Sequence, residues 1–398
     1  MMKLPVTRRQ ILSRALIWVF ALTLLAPHMA GARTMLQLED DVLLSFADGD
    51  IDIRSGSGEL YDVEISEDGL VTLTADYLYM DADGTIGEDD WYITNLLIEN
   101  ALVPDAGLFI NRIEARDILA GALDGETMPE SHAFVTEQSL IRMTNLSLEA
   151  EGALVSVDEI STLPISLAEP TPGNIVVTEG GIAVKGMTVM PLEQAGGNPL
   201  MDKLAERGIN SVALDFIVLT NIDMDPAGMF VGYEFISDIH DLATIEFAIR
   251  FAIDDDVYAR LLPLLAAPED NGVALLGLSG AIAVESGRLV VDDTGRGDIA
   301  FAVAAEEEGI SEGELRSMAR MSAAAGVGAT FPENVARLLP PIEAMLKQGG
   351  RLTVTAAPDM PVPLSSAIGF AMFPDLAIDQ LGLPLAHHPK GQWCGRGG

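Results

Sequence analysis

The chain has 398 residues, with 60 acidic against 23 basic side chains, a formal net charge of −37 and 49% hydrophobic residues. That apolar share is too high for a disordered acidic tail and suffices for a large core, while the charge repels phosphate backbones and excludes nucleic-acid binding. The only cysteine, Cys394, cannot form an internal disulfide, so the fold does not depend on one.

The first segment has the order of an export signal. Lys3, Arg8, Arg9 and Arg14 stand without an acidic neighbour, the apolar run 15–26 follows, and Ala30-Gly31-Ala32 supplies a small-residue cleavage site. Twelve apolar residues span about 18 Å as a helix, against about 30 Å of hydrocarbon in a bilayer. Residues 1–32 are therefore expected to be a cleaved signal peptide that releases the chain into the periplasm without a stable membrane span. Arg8-Arg9 resembles a twin-arginine signal, but Ile11 and Ser13 replace its preferred Phe and Lys. With no cofactor motif that would require folding before export, the general secretory route is the expected one. Residues 1–32 hold four bases and no acids, so the remainder carries 60 acids against 19 bases, a charge of −41 that disfavours attachment to an anionic membrane.

Strand signals dominate the rest. Val71, Leu73, Ala75, Tyr77 and Tyr79 alternate with other side chains and predict one apolar strand face. The run Val212, Leu214, Phe216, Val218, Thr220, Ile222 and Met224 predicts a second, and Ile245, Phe247, Ile249, Phe251 and Ile253 a third. Strands this long and one-sided point to a mainly β, β-rich α+β fold: a long, curved, mostly antiparallel sheet. A recurring pattern supports it. Thr94-Asn95-Leu96, Thr144-Asn145-Leu146 and Thr220-Asn221-Ile222 each open a strand stretch followed by a glycine and a second apolar stretch. Each is read as strand, turn and returning strand, with Asn95, Asn145 and Asn221 serving backbone geometry at sheet edges.

Helix signals are few and late. Asn198-Pro199 with Gly208 brackets a short helix, Asp254–Asp256 precede a second with Val257, Leu261 and Leu264, and Ser311 with Glu314 has capping-box spacing. Helical spacing from Val335 to Leu346 runs into Gly349-Gly350, with Pro340-Pro341 expected to kink it. Residues 33–386 are thus expected to form one elongated domain with a helical insertion over about 305–348, ahead of a disordered tail at 387–398.

Catalytic signatures are missing from the sequence. It has no H-E-x-x-H, G-x-S-x-G or P-loop, and the loop at Asp81-Ala82-Asp83-Gly84 has Ile86 and Tyr92 where a calcium loop needs Gly and Glu. His240, between Asp238 and Asp241, is expected to be a polar strand-end residue rather than a triad member, and His387-His388 a solvated pair rather than a metal site. No catalytic residue, metal or cofactor is expected. The apolar rows are left over as the notable supply of surface. Phe216, Val218, Phe247, Ile249 and Phe251 are the candidate ligand-binding residues, lining either a β groove for a lipid or another apolar ligand, or a closed core in a scaffolding protein with envelope protein partners.

The T-N strand pairs, the signal segment, and the run Met345-Leu346-Lys347-Gln348-Gly349-Gly350-Arg351-Leu352, followed by Pro358, Pro361 and Leu381-Gly382-Leu383, resemble uncharacterised exported proteins of alphaproteobacteria that are distantly similar to AsmA-like envelope proteins. The resemblance implies curved β-sheets and a part in envelope lipid handling or outer-membrane maintenance. It supplies no catalytic residues.

Overall fold

The computed structural model describes residues 33–37, 42–52, 54–84, 92–119, 135–150, 153–171, 174–191, 206, 208–225, 228–254, 257, 277–293 and 297–389. The expected signal peptide, the main part of the helices expected near 198–208 and 254–267, and residues 390–398 lie outside that set. The chain is mostly β and antiparallel, with its described α-helices in the C-terminal half. It divides into two units, residues 1–196 and 197–398.

The N-terminal unit contains β1 (Thr34–Gln37), β2 (Val42–Phe46), β3 (Asp48–Ile51), β4 (Gly58–Glu67), β5 (Leu70–Asp83), β6 (Tyr92–Val103), β7 (Leu108–Leu119), β8 (Val135–Ala150), β9 (Ala153–Thr162), β10 (Ser166–Thr171) and β11 (Asn174–Pro191). Successive pairing runs β1-β2-β4-β5-β6-β7-β8-β9-β11, antiparallel throughout. β3 continues β2 along the same edge of β4, and β10 continues β9 along β11. Close backbone approach ties β3 to β4: a Cβ on Gly49 would collide with the Glu59 carbonyl oxygen. The inward row, among it Val42, Leu44, Leu60, Leu78, Ile93 and Ile98, forms one buried cluster extending to Leu146 on β8.

Strict alternation fails along one line that crosses the sheet. Inward residues normally recur two apart, but the step is three at Leu60/Val63, Ala75/Leu78, Ile98/Ala101, Ile110/Ile113 and Met143/Leu146. The residues skipped there lie beside one another in register: Asp62, Asp76, Asn100, Asn111 and Asn145. Backbone torsion marks the break. Asp62, Asn100 and Asn145 are left-handed (φ 51°, 53° and 51°), as is Gly186 on β11 (φ 62°), so alternate strands carry a left-handed kink while the pairing register runs on unshifted past it. Asn and Asp tolerate this conformation because their short polar side chains bond locally. Here they bond one another: Asn100 Nδ2 donates to Asp76 (2.8 Å), Asn111 Nδ2 to Asn100 (3.0 Å) and Asn145 Nδ2 to Asn111 (3.4 Å). The line extends to β9, where the Asp158 carboxylate occupies the space a Gly186 side chain would need.

Every strand from β4 to β8 skips two residues between inward ones here, so the break in alternation is shared across the sheet and forms a crease rather than an insertion on one strand. The alternation predicted through Tyr77 and Tyr79 therefore breaks at Asp76, and Leu78 and Met80 are the buried residues instead. Replacing Asn100 by Val should cost about 2 kcal/mol, from the left-handed backbone and the lost ladder bonds, whereas Asn100→Gly should cost less. Urea midpoints of the two variants check this.

The C-terminal unit contains β12 (Val212–Asp225), β13 (Gly228–Ile239), β14 (Ala243–Ile253), β15 (Ile282–Asp293), α1 (Gly297–Glu308), α2 (Glu312–Thr330), α3 (Val335–Gln348), β16 (Arg351–Ala356), β17 (Val362–Pro363), α4 (Ala367–Met372), α5 (Pro374–Gln380) and β18 (Leu385–His388). Pairing runs β12-β13-β14-β15-β16-β18, antiparallel, with β17 beside β16 on β15. The helical stretch begins at Gly297, ahead of the expected 305, because α1 follows β15 almost at once. Ser311 and Glu314 form the expected capping box at the start of α2, and α3 runs through Pro340 and Pro341. β18 carries the ordered chain through His388, beyond the point where a tail was expected to start.

The T-N stretches lie near the start of β6 and in the second half of β8 and β12, and each is followed by a returning strand, β7, β9 or β13. Of the three asparagines only Asn145 has a positive φ; in the first copy that role falls on Asn100. Asn95 and Asn145 sit on strands paired on both sides rather than at edges.

Candidate functional site

Alternation places the two faces of the C-terminal sheet in chemical contrast. Pairing register aligns Val218, Phe235, Phe247, Leu289, Val354 and Leu385 in a row across β12, β13, β14, β15, β16 and β18. Beside it, on the same face, Thr220, Tyr233, Ile249, Gly287 and Ala356 form the next row, and Ile222, Val231, Phe251, Val284 and Val362 the one after. At about 4.8 Å per strand, six strands make a strip about 24 Å wide.

One end of this face is closed. Ile222, Met229, Val231, Ile253 and Ile282 are buried with Val257 and Leu278. In the middle, Val218, Tyr233, Phe247 and Leu289 remain 37–42% exposed. Leu289 and Val290 make the difference plain, since neighbours on a strand face opposite ways: Val290 is fully buried while Leu289 is open. Phe216 packs against Phe235 (ring centroids 6.1 Å apart) and Phe251 edge-on against Tyr233 (6.4 Å), so the open residues have ordered aromatic walls.

The other face sets ion pairs beside apolar residues such as the buried Val290. Arg250 bridges Asp223 (3.0 Å) and Glu285 (2.6 Å) and stacks over Phe230. Arg351, buried, meets Glu246 (3.3 Å) and Asp292 (3.6 Å), and Arg288 also reaches Glu246. These pairs give four carboxylates of that face cationic partners, and the three rows of the opposite strip hold no charged side chain.

All five residues read from the sequence, Phe216, Val218, Phe247, Ile249 and Phe251, lie on the apolar face, with Val218 and Phe247 in its exposed centre and Phe251 toward its closed end. Sequence reasoning missed Tyr233, Phe235, Leu289, Val354 and Leu385. The alternation Val231, Tyr233, Phe235 was there to be read, but only register shows that β13 lies between β12 and β14.

His240 sits in the β13–β14 turn, 44% exposed at its side chain, with Nε2 2.9 Å from Asp215 Oδ2. That hydrogen bond raises its pKa above the ordinary imidazole value against the opposing effect of burial, with the charges of Asp215, Asp238 and Asp241 adding to the rise. The arrangement is a surface ion pair. His387 Nε2 lies 2.8 Å from the Gly349 carbonyl oxygen, anchoring β18 to the end of α3. Among the described residues no group of three or more His, Cys, Asp or Glu is placed to hold a metal ion, and no helix is long and apolar enough to cross a membrane.

No curated protein matches the chain. A family model described as "Uncharacterized protein" matches residues 237–387. That stretch starts near the end of β13 and stops in β18, so it takes in Phe247, Ile249, Phe251 and Leu289 together with all five described helices, but not Phe216 or Val218. The C-terminal region bearing the larger part of the open strip is therefore similar to an uncharacterised protein family.

Proposed function

We propose that this is a non-enzymatic protein of the bacterial envelope, exported to the periplasm and distantly AsmA-like, whose C-terminal unit holds a lipid acyl chain or a similar apolar ligand on the open strip of its sheet. The carrying observation is the exposure of Val218, Tyr233, Phe247 and Leu289 in the middle of a face that is otherwise apolar and buried at one end. Contiguous exposed apolar area of this kind marks binding sites in soluble proteins. A width of about 24 Å suits an extended acyl chain lying across the strands. The strip has no basic side chain in its centre to recognise a phosphate, so the tail rather than the headgroup provides the affinity.

For the N-terminal unit the scaffolding reading is favoured instead, because its apolar rows from β2 to β7 are closed. Extraction of the purified, processed chain followed by mass spectrometry should release a fatty acid or phospholipid in near-stoichiometric amount. Absence of any such species, together with no binding of a fluorescent fatty acid, would remove the proposal.

A further inference from the structure

A second exposed apolar surface lies around α4 and α5. Met360, Met372, Phe373 and Leu376 are 44–77% exposed. They are held out by ordered backbone: the Phe373 N–H bonds Gly369 O (2.8 Å) and the Leu376 N–H bonds Phe373 O (3.0 Å), which sets Met372 and Phe373 at the α4–α5 corner. On α5, Leu376 shares a face with Asp379 and Gln380, three and four residues on. Asp379 and Gln380 in turn line a cleft of about 370 Å³ with Met360, whose other wall is the proline-bearing segment 357–363. The cleft is stapled at its base, where the Ala357 N–H bonds Leu381 O (2.9 Å) and Gly382, at φ 57°, lets the two backbones approach. Met372, Phe373, Leu376 and Met360 thus form one apolar ridge running into a preformed notch.

The rim of the ridge is acidic. Asp359 and Asp379 line the notch, and Asp375 stands at the first turn of α5, where Asn334 Nδ2 donates to it (2.9 Å). Among the described residues no cation pairs with Asp359, Asp375 or Asp379, in contrast to the ion-paired face of the sheet. Flexible methionines and an aromatic beside unneutralised carboxylates form the complement of a helix with apolar residues on one side and Lys or Arg on the other. The charge of −37 turns anionic bilayers away from the same surface.

We infer that the ridge from Met372 to Met360 is a docking surface for a cationic amphipathic helix of a partner protein. Apolar side chains at helical spacing enter the notch, and basic residues beside them meet Asp359, Asp375 and Asp379.

Fluorescence titration with an 18-residue Leu/Lys peptide patterned as an amphipathic helix tests this, with a scrambled peptide of equal composition as the control for attraction to a polyanion. The full chain should bind the patterned peptide at least tenfold more tightly than the scrambled one. The double variant Phe373→Ser/Leu376→Ser should erase that difference, while Met318→Ser/Met321→Ser on α2, equally exposed, should leave it intact. All four positions are at the surface, so unchanged melting temperatures are expected. Equal binding of the two peptides, or a patterned-peptide preference that survives the Phe373/Leu376 change, overturns the inference.

Discussion

Leu60→Asp is expected to unfold the N-terminal unit. Leu60 has no exposed surface and sits opposite Leu78 in the innermost part of the buried cluster. Loss of the leucine alone costs about 3–5 kcal/mol in a site that cannot collapse, and a carboxylate there has no partner, adding several kcal/mol or forcing protonation. Domains have only about 5–15 kcal/mol of net stability to lose. Hydrogen exchange should show protection disappearing across residues 42–146. Leu102→Asp provides the contrast, because Leu102 is on the outer face of β6 and over a third exposed. It should change stability by roughly 1 kcal/mol or less.

Phe247→Asp should do the opposite in the C-terminal unit: leave the fold standing and abolish ligand uptake. Phe247 is flanked in register by Phe235 and Leu289 and already meets water. The substitution exchanges a good strand former for a poor one, at about 1 kcal/mol. A bound acyl chain, however, would cover the carboxylate and strip its hydration, so binding of a fluorescent fatty acid should weaken by roughly a hundredfold or more. Val231→Asp, on the same face at the closed end, should unfold the unit. If Phe247→Asp melts with Val231→Asp, the face is an ordinary core and the binding proposal fails.

The hairpin plan of this fold could be read from the sequence because it rests on local chemistry. Apolar alternation, the T-N stretches with their following glycines, and the Ser311/Glu314 box each act within a few residues, and each corresponds to an element found in place. The crease could not be read. Asn100 differs from any other asparagine only by facing Asp76 and Asn111 on neighbouring strands, 24 residues before it and 11 after it. The same limit explains the Tyr77 error, since the crease changes the inward parity of everything beyond it. In the candidate site, the apolar rows were legible and their openness was not. Whether Leu289 or Val290 meets water depends on what packs against each face, and one-dimensional alternation treats the two alike.

The crease also carries a lesson about lineage. Its left-handed positions, Asp62, Asn100, Asn145 and Gly186, fall on every second strand of the pairing order, so the structural period is a pair of strands. Gaining or losing one strand would set two left-handed strands, or two without one, side by side and break the alternation. Gaining or losing two would leave it as it was. Sheets of this design can therefore grow or shrink during evolution only in whole hairpins, and relatives should differ in length by even numbers of strands.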